Sequence, residues 1–323
     1  QTVSVTTTDN DVAGFTIAQS GGSTSVSEAG TTDTFTVVLN AQPSSDVVFS
    51  ISSGDTGEVT VTGTLTFTAA NWNSAQTVTL TGVDDNIIDG SQTSTTTTSI
   101  IDAITDDAFD GVADQTVSVT TTDNDVAGFT IAQTNGSTSV AETGTTDTFT
   151  VVLNAQPASN VVISITSGDT GEATVSPATL TFTSGNWNSA QTVTVSGVDD
   201  NLIDGTITST ITLSVVDGSS DNNFDPVADQ TVSATTTDND VAGFTIVQSG
   251  GSTSVAETGT TDTFTVVLNA QPASNVVLTI TSGDTGEATV TGTLTFTSGN
   301  WNSAQTVTVT GVDDNIIDGT ITS

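Results

Sequence analysis

Lysine, arginine and histidine are absent from all 323 residues, and so are cysteine, methionine and tyrosine. Each absence excludes a class of function. Without basic side chains the chain cannot displace counterions from phosphates, so nucleic acid is not a direct partner. Without cysteine there is no disulfide framework, thiolate metal site, haem attachment or thiol chemistry. Histidine-based triads, Schiff-base lysines and arginine clamps go with them. The same gap leaves no trypsin site and no Lys–Asn isopeptide staple. No apolar run reaches the roughly 18 residues of a membrane-crossing helix.

What remains is acidic: 37 Asp and Glu give a formal net charge of −37. Such a balance raises the question of disorder. Val, Ile, Leu and Phe number 40, 18, 10 and 12, about 25% of the chain, above the roughly 20% below which charged chains stay unfolded. Thr, favoured in strands, occurs 73 times. The chain has the composition of a folded, β-rich protein.

Repeats decide the architecture. TTDNDVAGFTI stands at 7–17, 121–131 and 236–246; TDTFTVVLNAQP at 32–43, 146–157 and 261–272; NWNSAQTVT at 71–79, 186–194 and 300–308. A period of 114 or 115 residues is domain-sized, too long for a solenoid coil. The chain therefore divides into a final strand of a preceding repeat (1–10), repeat one (11–125), repeat two (126–240) and an incomplete repeat three (241–323). Inside a repeat the apolar residues alternate with period two, as in Phe149, Val151 and Leu153, or Val161, Ile163 and Ile165. Seven or eight such strands with turn residues between them predict an all-β fold: tandem immunoglobulin-like sandwiches of two antiparallel sheets, in an extended rod. A jelly roll is the weaker alternative. Trp72, Trp187 and Trp301 each precede a strand, where they read as packing residues rather than a sugar platform. In repeat one, Thr96 and Thr98 replace Ile211 and Leu213 at inward positions, so repeat one is expected to be the softer module. The chain reads as a window on a longer array, with a QTVSV strand completing repeat three by covalent continuation or by exchange between subunits.

The acids fall between strands at the same places in each repeat. One group is Asp84, Asp85 and Asp89, recurring as Asp199, Asp200 and Asp204, then Asp313, Asp314 and Asp318. A second is Asp9 and Asp11, recurring as Asp123 and Asp125, then Asp238 and Asp240. A lone Glu precedes the second strand of each repeat and is followed two residues later by Gly: Glu28, Glu142 and Glu257. The GDTGE turn supplies Asp55 with Glu58, Asp169 with Glu172, and Asp284 with Glu287. Asp106, Asp107, Asp110 and Asp114 are a less regular set. Asp favours turns without any metal, but repeated pairs with no basic partner repel unless a cation neutralises them. Ca²⁺, with six to eight oxygen ligands and tolerant geometry, suits such clusters better than Mg²⁺. Paired carboxylates also serve glycoside hydrolysis, yet an active site copied into every module without an aromatic cleft is a poor enzyme.

Val140 through Gly144 (VAETG), Val198 through Gly205 (VDDNLIDG) and Asp123 through Asp125 (DND) together resemble the Calx-beta repeat, in the variety frequent in large bacterial surface proteins. The resemblance implies a sandwich that binds Ca²⁺ in loops at one end. Repeat one would use Glu28, Asp84, Asp85, Asp89, Asp123 and Asp125, with Asp55 beside them. Repeat two would use Glu142, Asp199, Asp200, Asp204, Asp238 and Asp240, with Asp169. Repeat three would use Glu257, Asp313, Asp314 and Asp318. Asp in place of the family's usual Glu before the Gly of the VDDN segment, and Asn inside the terminal acid run, depart from the pattern. The function expected is structural and non-enzymatic: a calcium-stiffened rod, extracellular on a bacterial surface, in an adhesin stalk or filament. Its partners are neighbouring repeats, head to tail, with self-assembly into filaments. The alternative is a calcium-dependent carbohydrate- or surface-binding module.

Overall fold

The computed structural model describes residues 1–317 and 319–322. In repeat one the strands are β1 (Phe15–Gln19), β2 (Thr24–Ser27), β3 (Thr32–Leu39), β4 (Val47–Ser53), β5 (Val59–Val61), β6 (Thr64–Phe67), β7 (Gln76–Gly82), β8 (Gln92–Ile100) and β9 (Gln115–Thr122). They form a four-stranded sheet, β1-β3-β7-β5, facing a five-stranded sheet, β2-β9-β8-β4-β6. Repeat two runs through β10 (Phe129–Gln133), β11 (Thr138–Ala141), β12 (Thr146–Leu153), β13 (Val161–Ser167), β14 (Ala173–Ser176), β15 (Thr179–Phe182), β16 (Gln191–Gly197), β17 (Ile207–Val215) and β18 (Gln230–Thr237), in the same two sheets. The protein is all-β, three β-sandwich units in tandem.

Alternation builds each sheet. Along β3, Phe35, Val37 and Leu39 are buried while Thr36 and Val38 between them are only half-buried. Phe35, Phe49, Phe67, Val78 and Leu80 centre the core of repeat one, with Trp72 packed partly buried against it. Trp187 and Trp301 do the same in their own units. Thr96 and Thr98 on β8 are fully buried, where repeat two buries Ile211 and Leu213. Phe49, in the place of Ile163, returns some of that volume and stacks edge-on against Phe15 and Phe67.

Two expectations are corrected. Each complete repeat has nine strands, not seven or eight. Val175 and Leu180 belong to separate strands, β14 and β15, and the four-residue strands β2 and β11 carry too few apolar residues to show a period. The sheets are also not wholly antiparallel: β2 lies parallel to β9, and β11 to β18.

Repeat three has β19 (Phe244–Gln248), β20 (Thr261–Leu268), β21 (Val276–Thr279), β22 (Ala288–Val290), β23 (Thr293–Phe296) and β24 (Gln305–Gly311). Its first sheet is β19-β20-β24-β22, and among the described residues its second is β21-β23. Phe244 and Ile246 are about half exposed, whereas Phe15 and Phe129 at the position of Phe244 are buried. Residues 1–9, expected as a strand, form no strand and belong to no sheet.

Candidate metal centre

At one end of each complete sandwich four loops converge. In repeat one, Glu28 follows β2, Glu58 precedes β5, Asp84 to Asp89 follow β7, and Asp123 to Asp125 follow β9. Backbone bonds tie them together: Glu28 N–H donates to Thr122 O at 3.1 Å, and Val83 N–H to Glu58 O at 2.9 Å. Gly82 is required where β7 passes β2, because a Cβ there would lie 2.0 Å from Ser27 O. Gly197 meets Ala141 O in the same way. These close approaches seat the Glu that follows each short strand.

Carboxylate oxygens of Glu28, Glu58 and Asp89 lie within 4.8 Å of one another, and so do those of Glu28, Asp123 and Asp125. Glu28 belongs to both groups, so five acids meet around one buried side chain. Repeat two repeats the pattern: Glu142, Glu172 and Asp204, and Glu142, Asp238 and Asp240. Hydrogen bonds position the cluster without neutralising it. Asn124 N–H donates to Glu28 Oε2 at 3.1 Å and Asn124 Nδ2 to Asp84 Oδ1 at 2.9 Å. Gly90 N–H donates to Asp123 Oδ2 at 2.8 Å, and Ile87 N–H to Asp85 Oδ1 at 2.7 Å. Asn239, Gly205 and Leu202 make the same bonds to Glu142, Asp199, Asp238 and Asp200. The Asn between the two terminal acids, a departure from the family pattern, is thus an organising donor.

The electrostatics are those of like charges under partial burial. Burial, then the neighbouring acids, pushes the carboxyls of Glu58, Asp125 and Asp240 up. Glu28 and Glu142 are raised chiefly by burial, against the bond from the Asn amide. Glu172 is pushed up to about 7 by burial and by Asp204, Glu142, Asp169 and Asp200. Backbone bonds from Asp240 and Gly205 instead hold Asp238 low. Within these groups, four buried carboxylate oxygens have no hydrogen-bond partner: Glu58 Oε2, Asp125 Oδ2, Glu172 Oε2 and Asp240 Oδ2. An orphaned carboxylate oxygen is costly. These four, aimed into acid clusters in a chain with no basic side chain, fit a hard divalent cation.

Not every expected acid joins these groups. Asp55 and Asp169 accept from Gly57 N–H and Gly171 N–H in their own turns. Asp84 and Asp85, with Asp199 and Asp200, border the groups through the bonds above. In repeat three Asp314 accepts from Ile316 N–H. Among the described residues Glu257, Asp313 and Asp314 enter no group of three acids, and Asp318 lies outside the described residues. Two members were missed by sequence reasoning, Glu58 and Glu172, although the GDTGE turn recurs in every repeat. Asp106 is structural: its carboxyl accepts from Ser44 N–H and Oγ, Ser45 N–H and Ala108 N–H, which hold it down at about 2.

The cluster loop also reaches the next repeat. Gln156 N–H of repeat two donates to Asn86 O at 2.6 Å, Ile87 forms a parallel bridge with Gln156, and Ile88 packs against the core of repeat two. Asn223 Nδ2 donates to Ile88 O at 3.0 Å. Between repeats two and three, Gln271 N–H donates to Asn201 O at 2.6 Å and Leu202 bridges Gln271.

No protein-family model matches the sequence, and no curated protein does. Solved structures that resemble it include CBD12 from CALX1.2, at 12% identity and TM-score 0.29 over 68% of this chain and 99% of that one. Domains 4 and 5 of the S-layer protein SbsC align at 17% identity and TM-score 0.29, covering 70% of this chain and 99% of theirs. Domains 1–6 of the surface layer protein SbsC align at 16% identity and TM-score 0.30, covering 92% of this chain and 36% of that one. The structural neighbours are thus Calx-type calcium-binding domains and S-layer domains.

Proposed function

We propose that the protein is a non-enzymatic structural rod, held straight by Ca²⁺ at its repeat junctions, in the stalk of a bacterial surface adhesin or an extracellular filament. One observation carries the reading: the loop that borders the acid cluster is the loop that grips the following repeat. Asp85 and Asp89 flank Asn86, Ile87 and Ile88, so an ion that orders this loop also orders the junction. Glu28, Glu58, Asp89, Asp123 and Asp125 would hold the ion in repeat one, and Glu142, Glu172, Asp204, Asp238 and Asp240 in repeat two. The ion would supply the positive charge that the chain lacks. An address outside the cell suits such sites, because Ca²⁺ is abundant there. No helix of the described residues is long and apolar enough to cross a membrane.

Scanning calorimetry of the whole chain in EGTA and in millimolar Ca²⁺ tests this. An ion that binds only the folded state raises the melting temperature by mass action. Superimposable curves would end the calcium-rod reading.

A further inference from the structure

Repeat two stands between two others, so tension along the chain enters it at 126–128 and leaves it past β18. These two points lie at opposite ends of the sandwich. β10 begins at the end remote from the acid cluster, where Phe129 faces Leu153, and runs towards it, reaching Gln133 opposite Phe149. The cluster end is marked by Thr146 opposite Ser196, just ahead of Val198, whose N–H donates to Glu172 O at 2.8 Å. β11 and β18 run the same way, and β18 ends at Thr237, beside Asp238. Tension therefore draws β10 and β11 backwards and β18 forwards, each along its own axis.

Among the described residues one backbone ladder joins the entering segment to the departing strand. It is the parallel pair β11 and β18, with Thr138 facing Ala234, Ser139 facing Thr235, Val140 facing Thr236 and Ala141 facing Thr237. β10 pairs with β12 alone, in the other sheet. Opposed pulls along parallel strands shear the ladder and load its bonds together, and four residue pairs are a short ladder for that load. The acids stand where it ends. Glu142 follows β11, and its N–H donates to Thr237 O at 3.1 Å. Asp238 and Asp240 follow β18, and Asn239 N–H between them donates to Glu142 Oε2 at 3.1 Å. Carboxylate oxygens of Glu142, Asp238 and Asp240 lie within 4.8 Å of one another.

We propose that the acid cluster is a latch on the strand pair that carries tension: an ion held between Glu142 and the two acids Asp238 and Asp240 fastens β11 to β18, so that repeat two resists pulling along the chain. The latch rests on the calcium reading and gives it a direction. Ca²⁺ bonds its oxygens at about 2.3–2.6 Å, whereas the shortest slip that restores the ladder is two residues, about 6.6 Å. No slip that frees the strands keeps the ligands of the ion together. Pulled across the ladder instead, the bonds open one at a time from the Thr138 end, and the ion at the other end is reached last. Repeat one has the same arrangement: Glu28 follows β2, Asp123 and Asp125 follow β9, and the two strands are parallel.

Optical tweezers on the whole chain are the test, with handles on cysteines placed in the cysteine-free background. Val126→Cys and Val241→Cys, both exposed in the linkers that flank repeat two, load that repeat alone along the chain. Ser137→Cys and Ser233→Cys, one residue ahead of Thr138 and Ala234, load the same pair across the ladder. Lifetimes at constant force are compared in Ca²⁺ and in EGTA. Along the chain, Ca²⁺ at about 100 times its Kd should lengthen the lifetime about 100-fold, the whole mass-action gain of an ion lost at the barrier. Across the ladder, the first opening step should last equally long in both buffers. Melting curves of the same preparations separate the two readings. A melting temperature raised by Ca²⁺ with unchanged lifetimes along the chain, or with equal lengthening in both directions, overturns the latch and leaves the calcium reading standing. A melting temperature that Ca²⁺ does not raise overturns the calcium reading and the latch with it.

Discussion

Thr96 and Thr98 set the stability of repeat one. Both are fully buried on β8, opposite Val117 and Gln115 on one side and Ser53 and Ile51 on the other. Neither hydroxyl has a hydrogen-bond partner. A buried hydroxyl left unpaired costs about 1–3 kcal/mol. Thr96→Val/Thr98→Val exchanges each for a methyl group of similar size, so no new space is needed. The gain expected is about 2–4 kcal/mol for the pair. Thr96→Ile/Thr98→Leu adds about 0.8 kcal/mol for each further buried methylene. Phe49 already occupies part of the volume, and overpacking costs about 1–3 kcal/mol, so this pair should gain no more than the Val pair. Urea unfolding of residues 11–125 at fixed Ca²⁺ gives the measurement, since the core of repeat one draws only on its own residues. With a slope near 1.3 kcal/mol/M, the midpoint should rise by about 1.5–3 M at unchanged slope. Ile211→Thr/Leu213→Thr in repeat two should lower its midpoint in turn. A Val pair that moves the midpoint by less than about 0.3 M would refute the reasoning, and with it the softness of repeat one.

Glu172 makes repeat two pH-sensitive. Its folded value of about 7 lies above the ordinary 4.5, so its protonated form favours the folded state. In calcium-stripped buffer that stability is present below about pH 4.5 and is lost as pH rises through 7, with a slope of up to about 1.4 kcal/mol per pH unit. Melting temperature should therefore fall between pH 5 and 7.5, and Glu172→Gln should flatten the fall; a rise over that range contradicts the assignment. Gly197→Ala would place a methyl group on Ala141 O and push β11 outward, carrying Glu142 with it. It should cost about 2–4 kcal/mol and weaken Ca²⁺ binding to repeat two by titration calorimetry, and unchanged affinity would show that the close approach does not seat Glu142.

The long strands were legible because their burial is written in period two: the structure buries Phe149, Val151 and Leu153 and leaves Thr150 and Val152 between them half-buried. The inward-facing Thr96 and Thr98 were legible by comparison with their siblings. Strands β2 and β11 were not. TSVS offers one apolar residue and TSVA only Val and Ala, and their existence depends on a parallel partner almost a hundred residues away. Repeat three demonstrates the dependence. The same TSVA stands at 253–256, and among the described residues no strand lies beside it and none forms there. A local pattern that weak acquires structure only from its neighbour.

The acid clusters follow the same logic. Glu28 and Glu142 were singled out because each stands alone before a turn, and Asp123 and Asp125 because DND recurs. Of the two GDTGE acids, the family resemblance assigns Asp55 to the ligand set and leaves Glu58 out. Chain direction reverses the roles. The Asp accepts from the N–H two residues later and so closes its own turn, as Asp commonly does. The closed turn sends Glu58 back under the sheet, where its carbonyl receives Val83 N–H and its carboxyl reaches Glu28 and Asp89. Asp55 joins no group of three acids among the described residues, so it is the poorer candidate for a metal. The buried Glu three residues on, with Oε2 unpaired, is the better one.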